Sequence, residues 1–110
     1  MASERTVSTQ VRAKVSQRDG PCRIGKNLLA SFFGRCAGVP EWAHLGDKRR
    51  FKTRGMEPED RHTTQGTAML CTAHHSAYDL HLIDIQPLTP AGADGPLSFI
   101  KCETVFEEQT

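Results

Sequence analysis

No apolar run in the sequence approaches the roughly 20 residues that cross a bilayer. The first stretch, Met1 to Gly20, is polar and charged and lacks the apolar segment of a secretory signal. Aromatic residues make up only 6% of the chain, with a single Trp and a single Tyr, and hydrophobic residues 37%. There is no internal repeat, no low-complexity tract and no glycine-rich loop of the nucleotide-binding kind. These absences exclude a membrane protein and a multidomain enzyme. The expectation is one small, soluble, cytoplasmic domain of 110 residues. Its core is thin for its size, and domains of this length commonly draw stability from a metal, disulfides or a partner.

Charge is present but divided. Residues 1–54 hold 12 Lys and Arg against 4 Asp and Glu, and residues 55–110 hold 2 against 9, although the whole chain is only +1. A basic half of this kind predicts a polyanion, and nucleic acid above all, as partner. The competing reading is that the two halves neutralise each other within the fold.

Residues 3–18 carry Val7, Val11 and Val15 at helical spacing, with Arg5, Arg12, Lys14 and Arg18 on other faces. This predicts an N-terminal helix whose apolar stripe packs on the domain or on a second subunit, in which case the chain is a homodimer. Asp19-Gly20-Pro21 ends it. The apolar cluster Asn27–Phe33 is either a turn or two of helix or a plugging loop. Glu41–Leu45 reads as a strand, and the charged stretch Lys48–Thr64 as an exposed loop. Thr67–Cys71 reads as a second strand, Thr72–His81 as a helix, Ile83–Ile85 as a strand and Leu97–Phe106 as a last strand. The resulting organisation is a basic helical segment (1–20), a core (21–86) and a C-terminal extension (87–110) whose acidic end, Glu103 to Glu108, shields the basic face or binds a partner.

Four cysteines, in a chain read as cytosolic, are thiols rather than disulfides. Cys71 and His74 have the C-x2-H spacing that sets two soft ligands on one turn at a helix start. Joined by Cys22 and Cys36, they make a chemically sensible Cys3His zinc site, and structural zinc contributes folding energy directly. The alternative for Cys22 and Cys36 is a pair of ordinary buried thiols. His75 cannot share that site, because adjacent helical positions diverge by about 100°. His75 and Asp79, four apart, share a helix face; they can hold a divalent cation or simply form a surface pair. His44 sits beside Trp42 in an otherwise apolar run. An imidazole there titrates near neutrality and suits general-base work. Trp42 and Phe51 are read as core rather than as base-stacking residues.

In order, Cys22, Cys36, Ala43-His44-Leu45, Leu70-Cys71-Thr72-Ala73-His74-His75 and Asp79 resemble the HNH nucleases, also called ββα-metal or His-Me finger nucleases. The likeness is strongest to their small phage and prophage members and covers roughly residues 20–85. It implies an α+β fold: two antiparallel strands and a helix around one catalytic cation, with a structural zinc knuckle, here flanked by the N-terminal helix and the C-terminal strand. It further implies a metal-dependent DNA endonuclease of a bacterial host cell, phage or prophage encoded. His44 would be the general base, His75 and Asp79 the ligands of a Mg²⁺ or Mn²⁺ ion, and Cys22, Cys36, Cys71 and His74 the ligands of Zn²⁺. Lys48, Arg49, Arg50, Lys52 and Arg54, five cations without an acid among them, would grip backbone phosphates. The pattern departs from the family at two positions. Ala43 stands where a metal ligand often precedes the base, and Gly66 stands where an Asn orients it, with Thr63, Thr64 and Gln65 nearby. These departures define the alternative, a zinc-stabilised nucleic-acid-binding protein whose degenerate HNH site does not cut.

Overall fold

The computed structural model describes residues 4–45 and 63–109. The loop cations Lys48, Arg49, Arg50, Lys52 and Arg54, together with Phe51, His62 and the side chain of Val7, lie outside the described residues.

Helix α1 (Glu4–Asp19) follows the valine spacing, and Val15 is fully buried against the chain's own domain. Gly20, at φ +70°, ends it in the left-handed conformation that glycine adopts without cost from a side chain. Two single-turn helices follow, α2 (Arg23–Lys26) and α3 (Ala30–Phe33), so the Asn27–Phe33 cluster is part helix and part turn. Strands β1 (Pro40–His44) and β2 (Thr67–Cys71) pair antiparallel, and helix α4 (Thr72–Asp79) leaves β2 directly and packs on both strands. A second sheet is formed by β3 (Asp84–Pro87), β4 (Leu97–Lys101) and β5 (Thr104–Glu107) in the order β3-β4-β5, all antiparallel. A short 3-10 turn, Gly92–Asp94, joins β3 to β4. The chain is thus α+β, as expected from the sequence.

Two expectations are corrected. The last strand is a hairpin, not one run: the left-handed Cys102 (φ +53°) opens a two-residue turn between Lys101 and Thr104. A positive φ at the first loop residue matches the right-handed twist of the flanking strands. Helix α4 stops at Asp79 rather than His81. His81 takes φ +61°, its amide bonds the Tyr78 carbonyl, and the Leu82 amide reaches back to Ala77, which closes the helix in a Schellman motif. At the acidic end, Glu108 is bound within the fold. Glu108 accepts from Arg23 (2.8 Å), from Asn27 (2.7 Å) and from the Leu97 amide (2.8 Å). These contacts outweigh burial and hold its carboxyl below the usual range.

The β1–β2 register fixes which side chains share a face. Trp42 opposes Met69 and His44 opposes Thr67 on one face; Glu41 opposes Leu70 and Ala43 opposes Ala68 on the other. The second face meets the main core of Ile24, Phe33, Leu70, Tyr78, Ile85, Leu97 and Phe99. Strand β2 is buried along its whole length, and its outer edge is closed by side chains instead of a third strand. Arg18 donates to the Thr67 carbonyl (2.7 Å), and Asp19 accepts from the Met69 amide (3.0 Å). Asp19, with a side chain wholly out of solvent, also takes bonds from Arg18 (2.6 and 2.8 Å) and Arg23 (3.2 Å). Arg18 continues to Asp94 (2.9 Å), and Arg23 to Glu108 and to the carbonyls of Ala93 and Gly95. Part of the charge division is therefore neutralised inside the fold, where first-half arginines meet second-half carboxylates.

Removing Asp19 should uncover this dependence. Asp19→Ala leaves two arginines and a strand amide without their acceptor, and breaking a buried pair from one side costs about 3–5 kcal/mol. Urea unfolding should show that loss as a lowered midpoint with an unchanged slope.

Candidate metal centre and adjoining histidine site

Three thiols converge on one ring nitrogen. His74 Nδ1 lies 3.2 Å from Cys71 Sγ, 3.4 Å from Cys22 Sγ and 3.8 Å from Cys36 Sγ. The four ligand atoms all fall within 4.8 Å of one another. A tetrahedral zinc ion, with Zn–S near 2.3 Å and Zn–N near 2.0–2.1 Å, sets its ligand atoms about 3.5–3.8 Å apart. The donor set and its spacing thus fit a zinc ion. On its far side the ring is held by backbone: Nε2 lies 2.9 Å from the Gly34 carbonyl and 3.1 Å from that of Phe33. Only an N–H can donate there, so Nε2 carries a proton and Nδ1 is the nitrogen turned to the thiols. This is the usual outer support of a metal-binding histidine.

Local sequence explains how the ligands arrive. Cys71 ends β2 and His74 lies on the first turn of α4. Cys22 precedes α2 and takes hydrogen bonds from the Cys71 and Gly25 backbone. Gly25 stands where a C-x2-C knuckle starting at Cys22 would put its second thiol. A Cβ at Gly25 would come 2.7 Å from Cys36 Sγ, so the missing side chain leaves the room that Cys36 fills from the loop after α3. That explains the wide interval between Cys22 and Cys36. The same loop is fastened to α4, with the Thr72 amide on the Val39 carbonyl (3.0 Å) and the Ala73 amide on that of Ala37 (3.1 Å). A cleft of about 660 Å³, bordered by Pro21, Gly38 and Pro40 and by all three cysteines, gives an entry path.

Without a cation the four groups share protons unevenly. Burial pushes the Cys22 thiol up, but hydrogen bonds from His74 and the Cys71 and Gly25 backbone bring it down to about 6. Burial, and then the negative charge of Cys22, push Cys36 up to about 12. Contact with Cys22 raises His74, against burial, to about 9. Without a cation Cys22 therefore gives up its proton far more readily than Cys36.

His75, one position on, serves a different neighbourhood, as the helical angle requires. Its Nδ1 is 2.8 Å from Glu41 Oε1 on β1, and its Nε2 is 3.5 Å from Asp79 Oδ2 four residues along α4. His75 and Asp79 do share one face. His44, exposed at the end of β1, belongs by strand alternation to the opposite face, with its ring 5.3 Å from that of Trp42. Trp42 is half-buried, and its indole Nε1 is buried without a hydrogen-bond partner among the described residues. Ala43 is fully buried, facing Ala68. Thr64, near the position of the missing Asn, gives its hydroxyl to Asp94 (2.7 Å), and Gly66 pairs through its carbonyl with the Leu45 amide (3.0 Å).

Sequence reading missed Glu41. Its signal was parity: Glu41 lies three residues before His44 on a strand, hence on the face where α4 packs. No protein-family model matches the chain, and neither does any curated protein or solved structure.

Elemental analysis of the purified protein should give one zinc per chain, lost in Cys71→Ser. Gly25→Ala should weaken zinc binding by displacing Cys36, read by competition with a chromophoric chelator. Because binding displaces protons, affinity should fall as pH is lowered from about 8 to about 6.

Proposed function

We propose that the protein is a metal-dependent DNA endonuclease of the HNH kind. The observation that carries this reading is the division of labour between His74 and His75. One turn of α4 supplies a ligand to a Cys3His cluster and, on the next residue, an imidazole flanked by two carboxylates beside the strand that ends in His44. In this reading the β1–β2 pair and α4 are the ββα-metal core, and the cluster holds a structural zinc ion that fixes where α4 begins.

His75 and Asp79 are the residues that would hold the catalytic cation. Their nearest atoms are 3.5 Å apart, a separation that two ligands of one ion, each about 2.1 Å from it, can span. A bound Mg²⁺ or Mn²⁺ would offset charge on the scissile phosphate and the leaving oxygen. His44, at the strand end and on the face opposite His75, is assigned the proton of the attacking water, which requires the phosphate to span the end of β1. Its ring rests on Trp42, which limits the orientations open to it. Lys48, Arg49, Arg50, Lys52 and Arg54, just after the base, grip backbone phosphates, so that binding is salt-sensitive and weakly selective for sequence.

A second reading, a zinc-stabilised nucleic-acid-binding protein that does not cut, is favoured by a specific pair of residues. Ala43 brings no ligand atom to the α4 face, and Gly66 has no side chain with which to orient the base.

Cleavage of supercoiled, linear, single-stranded and branched DNA in Mg²⁺ or Mn²⁺ separates the two. The nuclease reading expects metal-dependent cutting that falls at least about 100-fold in a folded His44→Ala protein. Binding without cutting, equal in both proteins, selects the second reading.

A further inference from the structure

Glu41 has no part in the resemblance, yet it makes the closest side-chain contact to His75 among the described residues. One carboxylate oxygen is 2.8 Å from His75 Nδ1, and the other is 3.4 Å from the Thr72 hydroxyl on the first turn of α4. The contact joins β1 to α4 across the very face from which Ala43 offers nothing. Glu41 is about one-third exposed and His75 about one-quarter, so the pair is open to solvent on one side.

We infer that Glu41 is a positioning residue for the cation site: it holds His75 as the Nδ1–H tautomer and thereby presents the Nε2 lone pair beside Asp79. This rests on the reading of His75 and Asp79 as the cation site and adds to it the group that orients the ring. The chemistry is direct. An ionised carboxylate only accepts hydrogen bonds, so the nitrogen facing it carries the proton. Distance decides between the two nitrogens: Nδ1 is within a hydrogen bond of Glu41, whereas Nε2 is 3.5 Å from Asp79 Oδ2, too long for one, and presents its lone pair on the edge where an ion would be shared. A metal-binding imidazole commonly has a carboxylate or carbonyl on its second nitrogen. His74 has that arrangement with the Phe33 and Gly34 carbonyls. The two neighbouring histidines are therefore held by the same device in opposite senses: His74 offers Nδ1 and His75 offers Nε2. The arrangement also answers the loss at Ala43, since β1 still contributes a carboxylate to the site, acting through the imidazole instead of on the ion.

The test titrates Mn²⁺ into the zinc-loaded full chain and follows free Mn²⁺ by electron paramagnetic resonance. The wild type is compared with Glu41→Ala, Glu41→Gln and His75→Ala, and zinc content and unfolding midpoint are measured for each. Glu41→Ala should weaken Mn²⁺ binding about 10–100-fold with zinc retained. Glu41→Gln, whose amide oxygen still accepts from Nδ1–H, should recover most of that loss. Long-range ¹H–¹⁵N spectra of the Mg²⁺-loaded wild type should show His75 protonated on Nδ1 alone. A tether between strand and helix with no other role would lower the unfolding midpoint in both Glu41 variants and leave Mn²⁺ affinity where it was. Mn²⁺ binding that depends on His75 but ignores Glu41, or a His75 protonated on Nε2, overturns the positioning role alone. A wild type that takes up no Mn²⁺, or takes it up equally in His75→Ala, overturns the cation site and the inference with it.

Discussion

The meeting of three thiols at His74 Nδ1 is the constraint on which the rest of the molecule depends. Its four ligands come from the start of α2, the loop after α3, the end of β2 and the first turn of α4, so one small cluster joins segments that also meet in the main core. Among the described residues that core is mostly aliphatic, and the chain as a whole is only 6% aromatic. A cation bound to a cluster that is incompletely assembled in the unfolded chain contributes its binding energy to folding. The proton distribution points the same way. Burial and the negative charge of Cys22 raise the cost of ionising Cys36, a cost that a cation held by the four groups would offset.

The second support is polar too. Edge strands usually need a neighbour or a cover, and β2 has a cover made of side chains. Arg18 and Asp19 bond the outer backbone of Thr67 and Met69, and the Cys71 amide turns to Cys22. The edge of one strand thus runs from the arginine–carboxylate network into the metal cluster without interruption. Because Arg18 and Arg23 go on to Asp94 and Glu108, the second sheet is tied to the same network. The chain's charge division is in part a record of this internal pairing.

Much of the architecture was legible because it rests on local rules. The valine spacing marked α1, the short apolar runs marked β1 and β2, and C-x2-H marked the strand-to-helix junction. What could not be read depended on backbone conformations or on partners distant in sequence. His81 and Cys102 take left-handed conformations that nothing in their side chains advertises, so α4 seemed longer and the β4–β5 hairpin looked like one strand. Glu108 could not be matched to its partners because Arg23 and Asn27 lie more than eighty residues away. The zinc ligands were named from residue type, but Gly25, the reason Cys36 can join them, is visible only once the loop is folded. Glu41 was hidden for a similar reason: alternation assigns it a face, and only the packing of α4 says what that face meets.

The adjacency of His74 and His75 then has a physical meaning. Two neighbours on a helix cannot serve one ion, because their side chains leave the axis about 100° apart. When the first is fixed by three thiols and two carbonyls, the direction of the second follows from helical geometry. What remains free is rotation of the His75 ring and its choice of tautomer, and Glu41 limits both from the facing strand. The Cys3His cluster sets where α4 starts, α4 sets where His75 points, and β1 sets which nitrogen is offered. A Cys3His group able to hold a metal ion thus fixes the start of α4 and, with it, the direction of His75. Ala43 brings no ligand atom to this face, and the carboxylate two residues earlier on the same strand face is the group of β1 that holds the ring.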